Sequence, residues 1–247
     1  MDAFLPVSFP TFAWLTGIAI LAGLVRGFAG FGTALIYVPL AGIVLPPIWV
    51  LITLTVMDLF GPLPNVPKAW REGRPRQVYA LLLAAFPGLL LGLWLLDRLS
   101  EDAFRLLASM ICLATVALML AGWRWRGRMT PSVLASIGAT SGTLGGVSGL
   151  PGPPVILAYV TAPLPVGAIR ANVLLYLVGW DIMLGATLAF QGRLFGPPLV
   201  LGFALILPYI AANVVGARLF CPEAERLYRR IAFLLIGGAA IAALPIM

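Results

Sequence analysis

Stretches almost free of charge, each long enough to cross a lipid bilayer, follow one another along this chain with only short loops between them. They run from Phe12 to Leu45, Ile48 to Val66, Val78 to Leu96, Phe104 to Trp123, Pro131 to Pro163, Ala171 to Phe190, Pro197 to Ala217 and Ile231 to Met247. A helix rises about 1.5 Å per residue, so about 20 apolar residues cross the roughly 30 Å of hydrocarbon. The loops leave no room for a soluble domain. Composition agrees, since 61% hydrophobic and 10% charged residues are more apolar surface than a soluble fold can hide. The expectation is an all-α polytopic protein surrounded by membrane lipid.

Several function classes drop out. The chain has no His, which removes imidazole-held zinc, haem and a Ser-His-Asp triad. Cys112 and Cys221 have neither metal-site nor disulfide spacing. With no nucleotide-binding motif and no nucleophile-base pair, no cofactor is expected and the chain does not read as an enzyme. The net charge of +7 sits in short loops, where it sets orientation in the membrane rather than binding nucleic acid. No basic residue precedes Arg26, so the first segment lacks the n-region of a cleaved signal peptide and is expected to be retained.

The chain also repeats itself. A shift of 119 residues brings Gly23, Gly27 and Gly30 onto Gly142, Gly146 and Gly149, and Leu45-Pro46 onto Leu164-Pro165. Shifts of 121 and 124 pair Pro87 with Pro208 and Gly92 with Gly216. Two diverged copies are expected, residues 1–128 and 129–247, forming one integral membrane unit.

Loop charge separates two arrangements. If every stretch crosses once, in a 4+4 pattern of eight simple helices, eight basic residues fall on one side and seven on the other, which is no bias. If the first stretch of each copy enters and leaves on one side, three full crossings remain per copy and the copies are inverted. One side then holds the four basic residues from Lys68 to Arg76, the three from Arg124 to Arg128, Arg170, and the four from Arg218 to Arg230. Only Arg98, Arg105 and Arg193 remain for the other. Twelve against three is a strong positive-inside signal, and it puts both termini outside. Phe12 to Leu45 also has 34 residues, about 50 Å as one helix, which is too long for one crossing.

Each long stretch is interrupted near its centre, at Arg26-Gly27-Phe28-Ala29-Gly30-Phe31-Gly32 and at Gly145-Gly146-Val147-Ser148-Gly149-Leu150-Pro151-Gly152-Pro153-Pro154. Two half-length helices meeting near the midplane are expected, re-entrant in form, with backbone N–H groups and positive helix ends turned toward an anion. Gly27, Gly30, Gly32, Gly149 and Gly152 are therefore candidate binding residues. Gly23, Gly27, Gly142 and Gly146 equally fit close helix packing. Arg26, a charge inside an apolar stretch, either attracts the anion or pairs with Asp58 or Asp181. Those two acids are candidate proton carriers. The alternatives are that Asp58 accepts from the backbone at Gly61-Pro62-Leu63-Pro64 and that Asp181 caps or pairs locally. Trp180, mid-span beside Asp181, is a candidate cavity residue, and Arg170 and Asn172 are secondary candidates. The other tryptophans, at 14, 49, 70, 94, 123 and 125, fall near stretch ends, as an interfacial belt requires. The glycine faces serve internal packing and dimerisation alike, so a homodimer stays open.

Gly27-Phe28-Ala29-Gly30-Phe31-Gly32 leading to Val38-Pro39-Leu40, and Ser148-Gly149-Leu150-Pro151-Gly152-Pro153-Pro154-Val155, resemble the TauE/SafE family of sulfite-exporter-like permeases. The likeness continues through Arg170-Ala171-Asn172 and the Gly92 and Gly216 regions; Pro151 stands where the family often has glycine. What the resemblance implies is a secondary transporter in a bacterial cytoplasmic membrane, for small anions such as sulfite or sulfoacetate. A permease for a cation or neutral metabolite using Asp58 and Asp181, and a membrane-embedded enzyme or assembly factor, are the competing readings.

Overall fold

The structure, a computed structural model, describes residues 6–122, 129–159, 164–219 and 225–245. Among these the regular structure is helical throughout: α1 Phe9–Ala29, α2 Thr33–Ala41, α3 Pro47–Phe60, a short 3-10 turn Leu63–Asn65, α4 Val66–Glu72, α5 Pro75–Leu96 and α6 Glu101–Leu120, followed by α7 Pro131–Ser148, α8 Gly152–Tyr159, α9 Val166–Phe190, α10 Gly196–Leu219 and α11 Glu225–Ala242. The starts are written in the sequence. Proline in the first turn opens α1, α3, α5 and α7, where its missing N–H costs nothing, and Ser8, Ser100 and Thr130 cap α1, α6 and α7 through their hydroxyls. By length and hydropathy α1, α5, α6, α10 and the Gly167–Phe190 part of α9 can each cross a membrane; α3 and the Arg230–Ala242 part of α11 are shorter apolar helices.

Both long stretches break where the glycines lie. Gly30 ends α1 at φ 78° and Gly32 starts α2 at φ 107°, a left-handed conformation open to a residue without Cβ; Gly149 ends α7 in the same way at φ 72°. The two arms then fold back on each other. Trp14 Nε1 donates to the Leu40 carbonyl at 3.3 Å, so the start of α1 lies level with the end of α2. In the second hairpin Ser132 and Val133 of α7 share a groove with Leu157 and Ala158 of α8. Among the described residues the arms are unequal, with 21 residues against 9 and 18 against 8, where halves of equal length were expected. The break at Gly30 to Gly32 and at Gly149 to Pro151, late in each stretch, makes the second arm the short one.

The first arm of each hairpin packs in parallel on a helix of the other half of the chain. On α1, a Cβ at Gly23 or Gly27 would overlap the α10 backbone around Tyr209 and Asn213, and Gly216 on α10 lies against Leu24. On α7, Gly138, Gly142 and Gly146 lie against the carbonyls of Leu81, Ala85 and Leu89 of α5, and Gly92 faces Thr143 and Gly146 in return. Gly23, Gly27, Gly142 and Gly146 thus all serve close packing.

Helix ends from the two halves of the chain meet at both ends of α5. The Arg74 N–H donates to Asn172 Oδ1 at 2.6 Å, while Arg193 donates twice to the Asp97 carboxylate, at 2.5 and 3.1 Å. The 22 residues of α5, about 33 Å of helix, separate the two contacts. The stretch expected from Ile48 to Val66 is interrupted after Phe60, because Gly61 and the prolines at 62 and 64 do not continue an α-helix. Its counterpart α9 is continuous over 25 residues. Pro87 and Pro208 lie inside α5 and α10. Trp70 and Trp94 are exposed near helix ends; Trp123, Trp125, Cys221 and the arginines 124, 126 and 128 lie outside the described residues.

Candidate functional site

The tips of the two hairpins face each other across a cavity of about 40 Å³. A water needs roughly 10–15 Å³ on such a measure, so the space suits a few waters or one small polyatomic solute. Seven of the residues singled out from the sequence line it: Arg26, Gly32, Asp58, Gly149, Gly152, Trp180 and Asp181. They come from α1, α3, α9 and both breaks. The rest of the wall is mostly apolar, with Thr33 and Thr55 as further polar groups.

Arg26 is anchored on one side only. Its Nη1 donates to Asp58 Oδ2 at 2.8 Å and to Thr33 Oγ1 at 3.2 Å, and both partners of the ion pair are 9% exposed. Asp58 Oδ1 accepts from the Tyr209 hydroxyl at 2.6 Å. With that proton committed, Thr33 Oγ1, 3.1 Å from the Tyr209 oxygen, is the donor of that contact. Asp58 is therefore held by side chains, not by the loosened backbone at Gly61 to Pro64. Nε and Nη2 of Arg26 make no hydrogen bond among the described residues, and neither is sealed inside protein. Those donors remain available to a solute.

Asp181 differs from Asp58. It is 8% exposed, lines the cavity, and makes no hydrogen bond or ion pair among the described residues. Trp180 beside it is 2% exposed, its ring seated where Gly145 has no side chain.

The tips are chemically unlike. At α2 the N–H groups of Thr33, Ala34 and Leu35 precede the first intrahelical acceptor, and all three residues line the cavity. At α8 the corresponding positions are Gly152, Pro153 and Pro154, so only Gly152 has an N–H to offer. Its tip is held instead by a neutral relay in which Ser141 Oγ donates to the Pro151 carbonyl and accepts from the Tyr176 hydroxyl at 2.6 Å.

The other candidates lie elsewhere. Gly27 and Gly30 border a second, larger cavity on the far side of Arg26, together with Arg170. Asn172 is buried away from both, holding the N–H at the start of α5. Thr33, Tyr209, Ser141 and Tyr176 had not been singled out. The available signal was a hydroxyl within an apolar span, which needs a partner, but that signal does not say which. No group of three or more His, Cys, Asp or Glu among the described residues is placed to hold a metal ion.

Compared with known families, residues 15–243 match the family described as sulfite exporter TauE/SafE. Neither the curated proteins nor the solved structures yield a match.

Proposed function

The chain belongs to the sulfite exporter TauE/SafE family, making it a multi-pass membrane transporter rather than an enzyme, and from that premise we propose that it moves a small anion, sulfite or an organosulfonate, by alternating access around the cavity between the hairpin tips. The observation that carries this reading is the half-used guanidinium of Arg26. A buried Arg whose only role was pairing would direct its donors at protein acceptors, whereas this one keeps two nitrogens for an oxyanion, next to the free N–H groups of α2.

The two halves are inverted repeats, residues 1–128 and 129–247. What supports this is the pairing of ends: eight simple crossings put Asp97 and Arg193 on opposite faces, and Arg74 and Asn172 likewise, yet each pair is in contact. The crossed packing of α1 on α10 and α7 on α5 is likewise what a two-fold exchange of repeats produces. The twelve basic loop residues then face the cytoplasm and both termini lie outside the cytoplasmic membrane.

Charge balance assigns the proton. Arg26 and Asp58 neutralise each other, so an ionised Asp181 would be the uncompensated charge in the cavity and would repel the substrate. A proton on Asp181 removes that repulsion, so anion and proton cross together, with Asp58 positioning Arg26.

Reconstitution in liposomes with labelled sulfite and a luminal pH dye tests the reading. Wild type takes up sulfite saturably and acidifies the lumen. Arg26→Gln weakens sulfite affinity about ten- to a hundredfold, the worth of one or two charge-assisted hydrogen bonds. Asp181→Asn uncouples sulfite from proton movement. A folded Arg26→Gln protein with unchanged affinity overturns the anion site, and uptake of a cation in place of sulfite favours the competing reading through Asp181.

A further inference from the structure

The larger cavity, about 500 Å³, begins where the inner one stops, and Arg26 and Leu177 belong to the walls of both. Its polar lining is Arg26, Asn65, Arg170 and Asn213, with no carboxylate. Arg170 makes no hydrogen bond or ion pair among the described residues, so its guanidinium is uncommitted. The rest of the wall is apolar or glycine, and low-dielectric walls concentrate the field of the unpaired Arg170 into the opening. Residues of this cavity come from the end of α1, the end of α3 and the turn after it, the start of α9 and the second half of α10. The chain continues from two of those ends into the basic segments Lys68 to Arg76 and Arg218 to Arg230.

We propose that this cavity is the cytoplasmic anteroom of the transport path, in which Arg170 holds a small oxyanion or sulfonate before it passes to the free side of Arg26, and that the structure is the inward-open state. The proposal rests on the anion reading above and goes beyond it by giving Arg170 a ligand and the path a direction of opening. A guanidinium suits the task because its planar donors match the oxygens of sulfite or a sulfonate in pairs. Asn65 and Asn213 supply further amide donors along the way. An interfacial anchor for lipid phosphate would use the same guanidinium, but it would not make the affinity for a solute depend on the face from which it enters.

The test measures sulfite flux by the full chain in sealed membrane vesicles of either orientation, at low and high ionic strength. Arg170→Gln raises KM for sulfite entering from the basic face about tenfold at low salt, the size expected when a focusing charge is lost. The change falls on KM rather than Vmax, shrinks at high salt, and is reversed by Arg170→Lys. From the opposite face KM stays as in wild type. An unchanged KM at the basic face, or an equal rise at both faces, overturns the anteroom. If Arg170→Gln does not accumulate, Asn65→Asp, at an exposed position, places a negative charge in the same cavity and has to raise KM from that face alone. Loss of transport in Arg26→Gln with an unaltered Arg170→Gln condemns the anteroom and spares the central site, whereas absence of sulfite flux in wild type sinks both.

Discussion

Asp58 and Asp181, two acids in apolar spans, look alike in sequence and stand in opposite circumstances. Asp58 is the counter-ion of a buried arginine and accepts a tyrosine proton as well, so Asp58→Asn leaves Arg26 without its charge partner. Removing one partner of a buried pair costs about 3–5 kcal/mol. Thermal unfolding in detergent is expected to show Asp58→Asn well below wild type, and the double variant Arg26→Met with Asp58→Leu recovering much of the loss while staying inactive. Asp181 has no such partner to lose, so Asp181→Asn removes a desolvated carboxyl at no cost in contacts and is expected to unfold at or above the wild-type temperature. A Tm drop for Asp181→Asn as large as that for Asp58→Asn would mean that Asp181 is equally tied into the fold. Arg26 was legible from sequence because one charge in a long apolar stretch has to be satisfied. Its choice of Asp58 was not, since that depends on α1 and α3 both packing against α10, and Tyr209 of α10 stands 151 positions from Asp58.

The hairpins show how far sequence determines an element. Clustered glycine and proline mark both breaks, and the left-handed conformation at Gly30, Gly32 and Gly149 explains why glycine is favoured there. Arm lengths and tip chemistry needed the structure. Pro39 inside α2 deprives the Leu35 carbonyl of its intrahelical donor, and Cys112 of α6 fills that place with its thiol at 3.4 Å. A cysteine uninformative by spacing is thus part of the scaffold of α2. Cys112→Ala is expected to lower stability by about 0.5–1.5 kcal/mol, the worth of one hydrogen bond, and Cys112→Ser to keep much of it. Equal Tm values for the alanine and serine variants would remove the thiol from this role. The packing glycines carry more weight. A Cβ at Gly92 overlaps Thr143 and Gly146 of α7, so Gly92→Val has to part α5 from α7 at about 1–3 kcal/mol or more, whereas Gly237→Val on α11, with open space around it, is tolerated.

At the scale of the molecule, loop charge and side-chain contacts bear on the same question by independent routes. Counting basic residues compares twelve with three and says nothing of packing; the Asp97 to Arg193 and Arg74 to Asn172 contacts say which loops are neighbours and nothing of which side is cytoplasmic. The proposed inverted arrangement accommodates both, whereas eight simple crossings place Arg193 with Lys68 and across the membrane from Arg98. Single cysteines read by an impermeant thiol reagent in intact cells, in a Cys221→Ser background, separate the two. Glu101→Cys and Gln191→Cys, both at exposed positions, are expected to react from outside, and Lys68→Cys only once the cytoplasmic face is opened. A reporter fused after Met247 is expected to be active outside. If Gln191→Cys reacts together with Lys68→Cys and apart from Glu101→Cys, the first stretch of each half crosses completely, and the two tips no longer point at a common cavity from opposite sides. The anion site would then lose its symmetry argument and rest on Arg26 alone.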